Sequence, residues 1–167
     1  MVKPKKTGHR VLLWLGSIGP LGHVPASGTV TVALVGVPGY FLMHAWPLWV
    51  RIAVVVVFSG ASVWLHDVGD RLLGEKDSRK LVWDELVGYW IAVLPATMFT
   101  WRIAVATFFL ERIIDIVKVP PANSIERRWP GGWGVVGDDV MAGLYTALIL
   151  AAGLRFAPGW MGIPVTS

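Results

Sequence analysis

Carboxylates that could bind a metal ion are concentrated where charged stretches meet apolar ones. Asp84 and Glu85 stand at the start of one apolar segment, and Asp138 and Asp139 stand before another. Capping of a helix N-terminus explains either pair alone, because the macrodipole stabilises negative charge there. Together with Asp115, the two pairs supply five carboxylates. Such a set suits an Mg²⁺ ion that keeps several waters and takes a phosphate oxygen as a further ligand.

Arg112, Asp115 and Lys118 follow one another at intervals of three residues. This spacing predicts a helix with Arg112 beside Asp115 and Asp115 beside Lys118 on one side. A solvated, internally paired stripe is the simpler interpretation of such a charge run. The neighbouring segments are apolar, however, and ionisable groups bordering lipid tend to be functional. Arg112 and Lys118 would then neutralise the charge of a phosphate.

Other chemistries have weaker support in the sequence. The chain has no cysteine, which excludes a thiolate nucleophile and a Cys-ligated zinc or iron–sulfur site. Its four histidines lack zinc-like spacing, and the glycine-rich stretch 16–28 lacks the Lys-Ser/Thr ending of a phosphate-binding P-loop. The serines have no evident histidine–acid partners, so nucleophilic serine catalysis is discounted.

The composition predicts that the elements carrying these residues lie in a bilayer. Hydrophobic residues make up 54% of the 167 residues, charged residues only 16%, and mean hydropathy is +0.60. Soluble domains carry roughly a quarter charged residues. Much of the net charge of +4 comes from Lys3, Lys5, Lys6 and Arg10, before an apolar run too short to span a membrane. We interpret residues 1–167 as a single domain in which residues 1–15 form a basic cytoplasmic anchor.

The chain alternates between apolar and polar stretches, without the alternation typical of strands. The apolar stretches are 30–43, 48–65, 86–110 and 140–156, and the polar stretches are 16–29, 66–85 and 111–139. Glycines and prolines predict loops at 16–29 and 130–134. Pro95 divides 86–110 into halves too short to cross about 30 Å, which argues against a single spanning helix. The expected fold is all-α: a compact bundle of membrane-embedded helices, some re-entrant or short, with a polar active site on the cytoplasmic side.

Three motifs resemble those of one bacterial enzyme family. The most specific joins Trp64-x-x-Asp67, Gly74-x-x-Asp77 and Val82-Trp83-Asp84-Glu85-Leu86-Val87-Gly88-x-Trp90. The second is Arg112-x-x-Asp115-x-x-Lys118, and the third runs from Gly131-Gly132-Trp133-Gly134 through Asp138-Asp139 to Ala142-Gly143. In identity and spacing these motifs are similar to those of the phosphatidylglycerophosphatase A family, over most of the chain.

This resemblance implies an Mg²⁺-dependent phosphoric monoester hydrolase that converts phosphatidylglycerophosphate to phosphatidylglycerol in phospholipid biosynthesis. It implies metal binding by Asp84, Glu85, Asp115, Asp138 and Asp139. It implies catalysis by Asp84, Glu85, Asp115, Arg112 and Lys118, and substrate binding by Arg112, Lys118, Gly28 and Thr29. Asp67 and Asp77 are candidates for residues that hold the metal ligands in position without binding the metal themselves.

The chain departs from the family pattern at three places. Ser27-Gly28-Thr29 replaces Pro-Gly-Thr, Glu111 replaces an aromatic residue before the arginine, and residues 118–122 replace Lys-Pro-x-Pro-Ile. The metal carboxylates are intact, so these changes bear on the exact lipid more than on the reaction class. Asp70 and Glu126 match no motif and are expected to be solvated surface residues.

Two other functions stay open at this point. A small transporter would use intramembrane charges to line an ion path, and a non-catalytic membrane scaffold would keep the fold alone. Clustering of the carboxylates in polar stretches argues against a transporter. The resemblance implies a bacterial inner-membrane protein in which Asp84, Glu85 and Asp115 share one site, so both ends of 86–110 must lie on the same side of the membrane. With the break at Pro95 this predicts a re-entrant or interfacial hairpin, and basic residues on both of its flanks place the active site in the cytoplasm. A phospholipid and the membrane are the expected partners, nucleic acid is not, and the oligomeric state stays open.

Overall fold

The computed structural model describes residues 7–164, and in this range the chain is helical and contains no strand. The predicted all-α fold is confirmed. The helices are α1 Thr7–Gly16, α2 Ser27–Thr31, α3 Val37–Met43, α4 Leu48–Leu73, α5 Trp83–Ala92, α6 Trp101–Val117, α7 Ala122–Arg128 and α8 Gly132–Phe156. Lys3, Lys5 and Lys6 of the predicted anchor lie outside the described residues, whereas Arg10 lies on α1.

The predicted loop at 16–29 is shorter than expected. A 3₁₀ turn occupies Leu21–His23, and α2 begins at Ser27, so Gly28 and Thr29 lie in a helix. A π-helical turn, Val32–Gly36, joins α2 to α3 without a break. Glycine in this helix reflects packing and not a turn, since a Cβ at Gly28 would lie 2.8 Å from Cγ of Glu85.

Two helices, α4 and α8, are long and apolar enough to cross a membrane, judged by length and composition. At a rise of 1.5 Å per residue, the 26 residues of α4 extend about 39 Å. Helix α4 ends at Leu73, eight residues beyond the predicted apolar arm. Gly74 follows with a φ of 75° and provides a left-handed C-cap. The last two turns of α4 therefore carry His66 and Asp70 at one end of the bundle.

The segment 86–110 is divided between two helices, as the break at Pro95 predicts: α5, and the first part of α6, which has 17 residues and extends about 26 Å. Helix α5 has 10 residues, or about 15 Å, which is half the thickness of a bilayer core. Buried donors from neighbouring helices bind the connecting turn: Arg51 Nη1 donates to the carbonyl of Ala96 at 2.6 Å, and Tyr40 Oη donates to that of Met98 at 2.6 Å. The hairpin can therefore return without crossing, although its depth in the bilayer stays a prediction.

The start of α8 corrects a second boundary. The predicted loop at 130–134 is mostly helical, and α8 begins at Gly132 instead of at about residue 140. A Cβ at Gly134 would lie 2.7 Å from the Trp129 carbonyl oxygen, and one at Gly137 2.7 Å from Ile125 Cγ2. The glycines thus allow α8 to pack closely on α7, as small residues do between membrane helices. Asp138 and Asp139 consequently lie in the second turn of α8, so helix capping does not explain them.

Candidate active site

A polar pocket of about 800 Å³ opens where α2, α5, α6 and α8 meet, and we call it the site pocket. Its polar and charged lining residues are His23, Ser27, Thr29, Asp77, Arg79, Lys80, Asp84, Glu85, Arg112, Asp115, Lys118, Glu126, Asp138 and Asp139. Both flanks of the hairpin reach this end of the bundle, since Lys76 Nζ lies 3.4 Å from the carbonyl oxygen of Glu126. The structure therefore brings all of the predicted catalytic and metal-binding residues to one pocket.

Three of the predicted metal ligands face one another across the pocket. Glu85 lies in the first turn of α5, Asp115 in the last turn of α6 and Asp139 in the second turn of α8. Each offers a carboxylate oxygen, and these oxygens lie within 4.8 Å of one another. We call this group the three-carboxylate cluster. Burial raises the pKa of Asp115 above its usual range, while the guanidinium of Arg112 opposes this rise.

The guanidinium of Arg112 lies next to the three-carboxylate cluster. Its Nη1 is ion-paired with Glu85 and lies 3.6 Å from Asp115 Oδ2, and its Nη2 lies 3.7 Å from Asp139 Oδ1. The predicted proximity of Arg112 and Asp115 on α6 is therefore present. A guanidinium in this position can neutralise phosphate oxygens brought into the cluster.

Asp84 lines the site pocket beside the three-carboxylate cluster, and one of its oxygens lies near a histidine that the sequence did not single out. Nε2 of the fully buried His66 lies 3.3 Å from Asp84 Oδ2, and its Nδ1 lies 3.8 Å from Asp70 Oδ2. Asp70 also accepts the backbone N–H groups of Asp77 and Ser78, at 2.9 Å and 3.1 Å. The expectation that Asp70 is a solvated surface residue is wrong, because α4 extends far enough to bring it under the loop.

Lys118 has different partners from those predicted. It follows the last residue of α6 in a left-handed conformation, with a φ of 53°, which carries its side chain off the helix face of Asp115. Its Nζ lies 2.7 Å from Asp138 and 2.8 Å from Glu126. Partial burial disfavours its charged form, but these two hydrogen bonds raise the pKa of Lys118 above its ordinary value. Glu126 is thus a pocket residue and not the predicted surface residue.

The remaining predicted residues fall into two groups. Gly28 and Thr29 line the site pocket, and Gly28 leaves room for the Glu85 side chain. Asp67 supports the start of α8, where its Oδ1 accepts the N–H of Gly132 at 2.8 Å. Asp77 lines the site pocket near Asp84, whereas Asp67 binds the first residue of α8, the helix that carries Asp138 and Asp139.

The chemistry of the pocket residues fits a hard divalent cation. The three-carboxylate cluster offers only carboxylate oxygens, which Mg²⁺ prefers over nitrogen or sulfur. Asp84 Oδ1, Asp138 Oδ1 and Asp139 Oδ1 are buried and accept no hydrogen bond within residues 7–164. Unpartnered buried acceptors are unfavourable, and coordination of a cation or of its waters would satisfy them.

Comparison with known proteins decides the family. The model of the family "Phosphatidylglycerophosphatase A" matches residues 14–154. The chain belongs to this family. Its motif residues Asp84, Glu85, Arg112 and Asp115, and the Asp138–Asp139 pair, are the residues that meet in the site pocket. The phosphatidylglycerophosphatase A name describes a phosphoric monoester hydrolase, and the resemblance found in the sequence is confirmed.

Three relatives of the chain are named as phosphatases. A protein of Bacteroides thetaiotaomicron named "Putative phosphatidylinositol-3-phosphatase" is 36% identical over 129 residues, 75% of this chain and 79% of that protein. Phosphatidylglycerophosphatase A of Escherichia coli (strain K12) is 31% identical over 118 residues, 71% of this chain and 69% of that protein. Phosphatidylglycerophosphatase A of Haemophilus influenzae is 32% identical over 80 residues, 48% of this chain and 49% of that protein. No solved structure matches the chain.

Proposed function

We propose that the protein is an Mg²⁺-dependent lipid phosphatase of phospholipid biosynthesis. It hydrolyses phosphatidylglycerophosphate to phosphatidylglycerol and inorganic phosphate at the cytoplasmic face of the bacterial inner membrane. The observation that carries this proposal is the three-carboxylate cluster beside Arg112 in the site pocket. Family membership supports the reaction class, and the apolar helices α4 and α8 support a membrane-bound enzyme.

The pocket residues divide the reaction between them. Glu85, Asp115 and Asp139 would hold Mg²⁺, with Asp84 and Asp138 available for a second ion. When bound, the metal polarises the phosphoryl group and acidifies a water. Arg112 and Lys118 bind the phosphate oxygens, and a pocket carboxylate accepts the proton of the attacking water. The water oxygen bonds to phosphorus as the P–O bond to glycerol breaks, and the proton taken from the water passes to the leaving oxygen, which gives inorganic phosphate and the free hydroxyl of phosphatidylglycerol.

A second candidate substrate class follows from the relative named "Putative phosphatidylinositol-3-phosphatase". The reacting group is the same, a phosphomonoester on a lipid headgroup, so the pocket chemistry applies equally. Of the three departures from the family pattern, Ser27 lines the site pocket, Glu111 binds the pocket residue Arg112, and Val119 follows the pocket residue Lys118, so these departures bear on headgroup choice. We therefore treat phosphatidylinositol 3-phosphate as the alternative to be tested beside phosphatidylglycerophosphate.

The test is phosphate release by the purified protein in mixed micelles. Phosphatidylglycerophosphate, phosphatidylinositol 3-phosphate and soluble glycerol 3-phosphate are compared with Mg²⁺ and with EDTA. We expect phosphatidylglycerophosphate to be preferred and glycerol 3-phosphate to lose both rate and affinity, because binding energy from the lipid places the phosphate. Absence of release with every lipid would overturn the proposal and favour a scaffold, whereas release that is insensitive to EDTA would overturn the Mg²⁺ dependence. Preference for the inositol lipid would overturn only the substrate.

A further inference from the structure

Glu111 lies behind Arg112 and grips one edge of its guanidinium. Its Oε2 accepts the Nε–H of Arg112 at 2.8 Å, and its Oε1 accepts an Nη2–H at 2.8 Å. The side chain of Glu111 is fully buried. Two parallel hydrogen bonds between a carboxylate and a guanidinium fix the plane as well as the position of the arginine.

The opposing helix provides the space for this carboxylate. Gly88 on α5 faces Glu111, and a Cβ at Gly88 would lie 2.7 Å from Glu111 Oε1 and 3.1 Å from the Asp139 carbonyl oxygen. An isolated carboxylate at this depth would be strongly unfavourable, so the pair with Arg112 is what allows Glu111 to be buried. The aromatic residue that precedes the arginine in the family pattern could accept neither hydrogen bond.

The hydrogen-bond donors of Arg112 show which edge faces the pocket. A guanidinium has five N–H donors. Glu111 takes the Nε–H and one Nη2–H, and Glu85 pairs with Nη1. One N–H is left on each terminal nitrogen. These nitrogens lie 3.6 Å from Asp115 and 3.7 Å from Asp139, on the side of the three-carboxylate cluster.

We propose that Glu111 is a positioning residue that holds Arg112 so that its two terminal nitrogens meet the substrate phosphate. This inference rests on the proposed phosphatase function. With the Nε edge occupied, the guanidinium cannot turn to present its other fork. Loss of Glu111 frees that edge, and the Arg112 guanidinium can then rotate toward the neighbouring carboxylates, so that its terminal nitrogens no longer point to where the phosphate binds.

Glu111→Gln tests the proposal with a nearly isosteric change. The amide keeps one acceptor but sets an NH₂ group against the second arginine donor. We expect KM for the lipid phosphate to rise about tenfold and kcat to change by less than about threefold, the effect of losing one charged hydrogen bond. The thermal unfolding midpoint should fall by no more than a few degrees, because Arg112 keeps its ion pair with Glu85 and is not left as an uncompensated buried charge. Glu75→Gln is the matched control, because Glu75 is exposed and lies outside the site pocket, and it should keep the wild-type KM.

A double-mutant cycle distinguishes positioning from a general structural role. Lysine has no guanidinium fork, so adding Glu111→Gln to Arg112→Lys should change KM by less than about twofold. A full additional tenfold effect in that background would overturn the proposal, and so would a fall in kcat with KM unchanged. If Glu111→Gln does not fold, Glu111→Asp serves instead. Its carboxylate is one methylene too short to reach both nitrogens, so wild-type KM in that variant also overturns the proposal.

Binding of inorganic phosphate, measured by calorimetry in the presence of Mg²⁺, separates this inference from the proposed function. We expect about tenfold weaker phosphate binding by Glu111→Gln than by the wild type, whichever lipid is the substrate. Equal phosphate affinity of the two proteins overturns the positioning role. A wild-type protein that binds phosphate but releases none from any lipid would overturn the phosphatase function and leave the positioning role standing.

Discussion

Replacing Gly28 by alanine should displace Glu85 from the three-carboxylate cluster. The new Cβ would lie 2.8 Å from Glu85 Cγ and would overlap its carboxylate. Glu85 cannot simply turn away, because Arg112 holds it on the other side. The carboxylate must therefore shift by on the order of 1 Å, a misplacement that costs up to about 100-fold in rate. We expect turnover of the lipid phosphate to fall by about 10- to 100-fold, as when support of a metal ligand is lost.

The same substitution should leave the fold intact. Gly28 lies in α2 with ordinary helical neighbours, and alanine is favoured over glycine in a helix by about 1 kcal/mol. The shift falls on the end of a side chain and not on the backbone. We therefore expect the thermal unfolding midpoint to change by no more than a few degrees, so that activity and stability separate.

Gly60→Ala provides the matched control for this experiment. Gly60 lies within α4, where an added Cβ meets nothing within 4 Å. Phosphate release and thermal unfolding of both variants are measured in the same detergent, with Mg²⁺ titrated to saturation. Wild-type turnover by Gly28→Ala would refute the placement of Glu85 in the cluster. An equal loss of activity in Gly60→Ala would show that detergent-solubilised variants lose activity for reasons unrelated to the site.

Three further predictions follow from the pocket. Turnover should fall at least about 100-fold, without unfolding of the protein, in each of four variants: Asp84→Asn, Glu85→Gln, Asp115→Asn and Asp139→Asn. In each of them the amide removes the negative charge that Mg²⁺ requires. The control Glu75→Gln should keep wild-type turnover. Lys118→Met should lower phosphate release about tenfold, because it removes a phosphate-neutralising cation and leaves Asp138 and Glu126 unpaired; unchanged release would remove Lys118 from the site. Single cysteines at the exposed positions Lys76 and Arg128, in a chain with no native cysteine, should both resist an impermeant thiol reagent in intact cells; labelling on opposite faces would contradict the re-entrant hairpin.

The site was predictable where a residue's role follows from its local sequence. Asp84 and Glu85 stand at the boundary between a charged and an apolar stretch, and α5 begins at the adjacent Trp83. The break near Pro95 likewise predicts that 86–110 is divided between two helices, which are α5 and α6. The start of α8 is not predictable from the sequence, because glycines usually break helices, whereas here they provide close contact with α7, which is visible only in three dimensions.

Partners distant in sequence were not predictable from spacing. Lys118 pairs with Asp138 and Glu126 and not with Asp115, because Lys118 itself takes the left-handed conformation that ends α6. His66 gave one usable signal: it lies four residues before Asp70 on the same helix face. Its contact with Asp84 depends on the packing of α4 against α5, which no local pattern encodes.

The turn of the hairpin has a consequence for the biogenesis of the protein. Its carbonyl groups at Ala96 and Met98 are bound by Arg51 of α4 and Tyr40 of α3. In lipid, carbonyl groups without donors are costly, so the hairpin tip is stable at depth only when these helices are already in place. Both donors precede the hairpin in the chain and leave the ribosome first. We therefore expect a stepwise insertion in which α3 and α4 enter the membrane first and the re-entrant segment then packs against them. The site pocket is complete only after α8 has inserted.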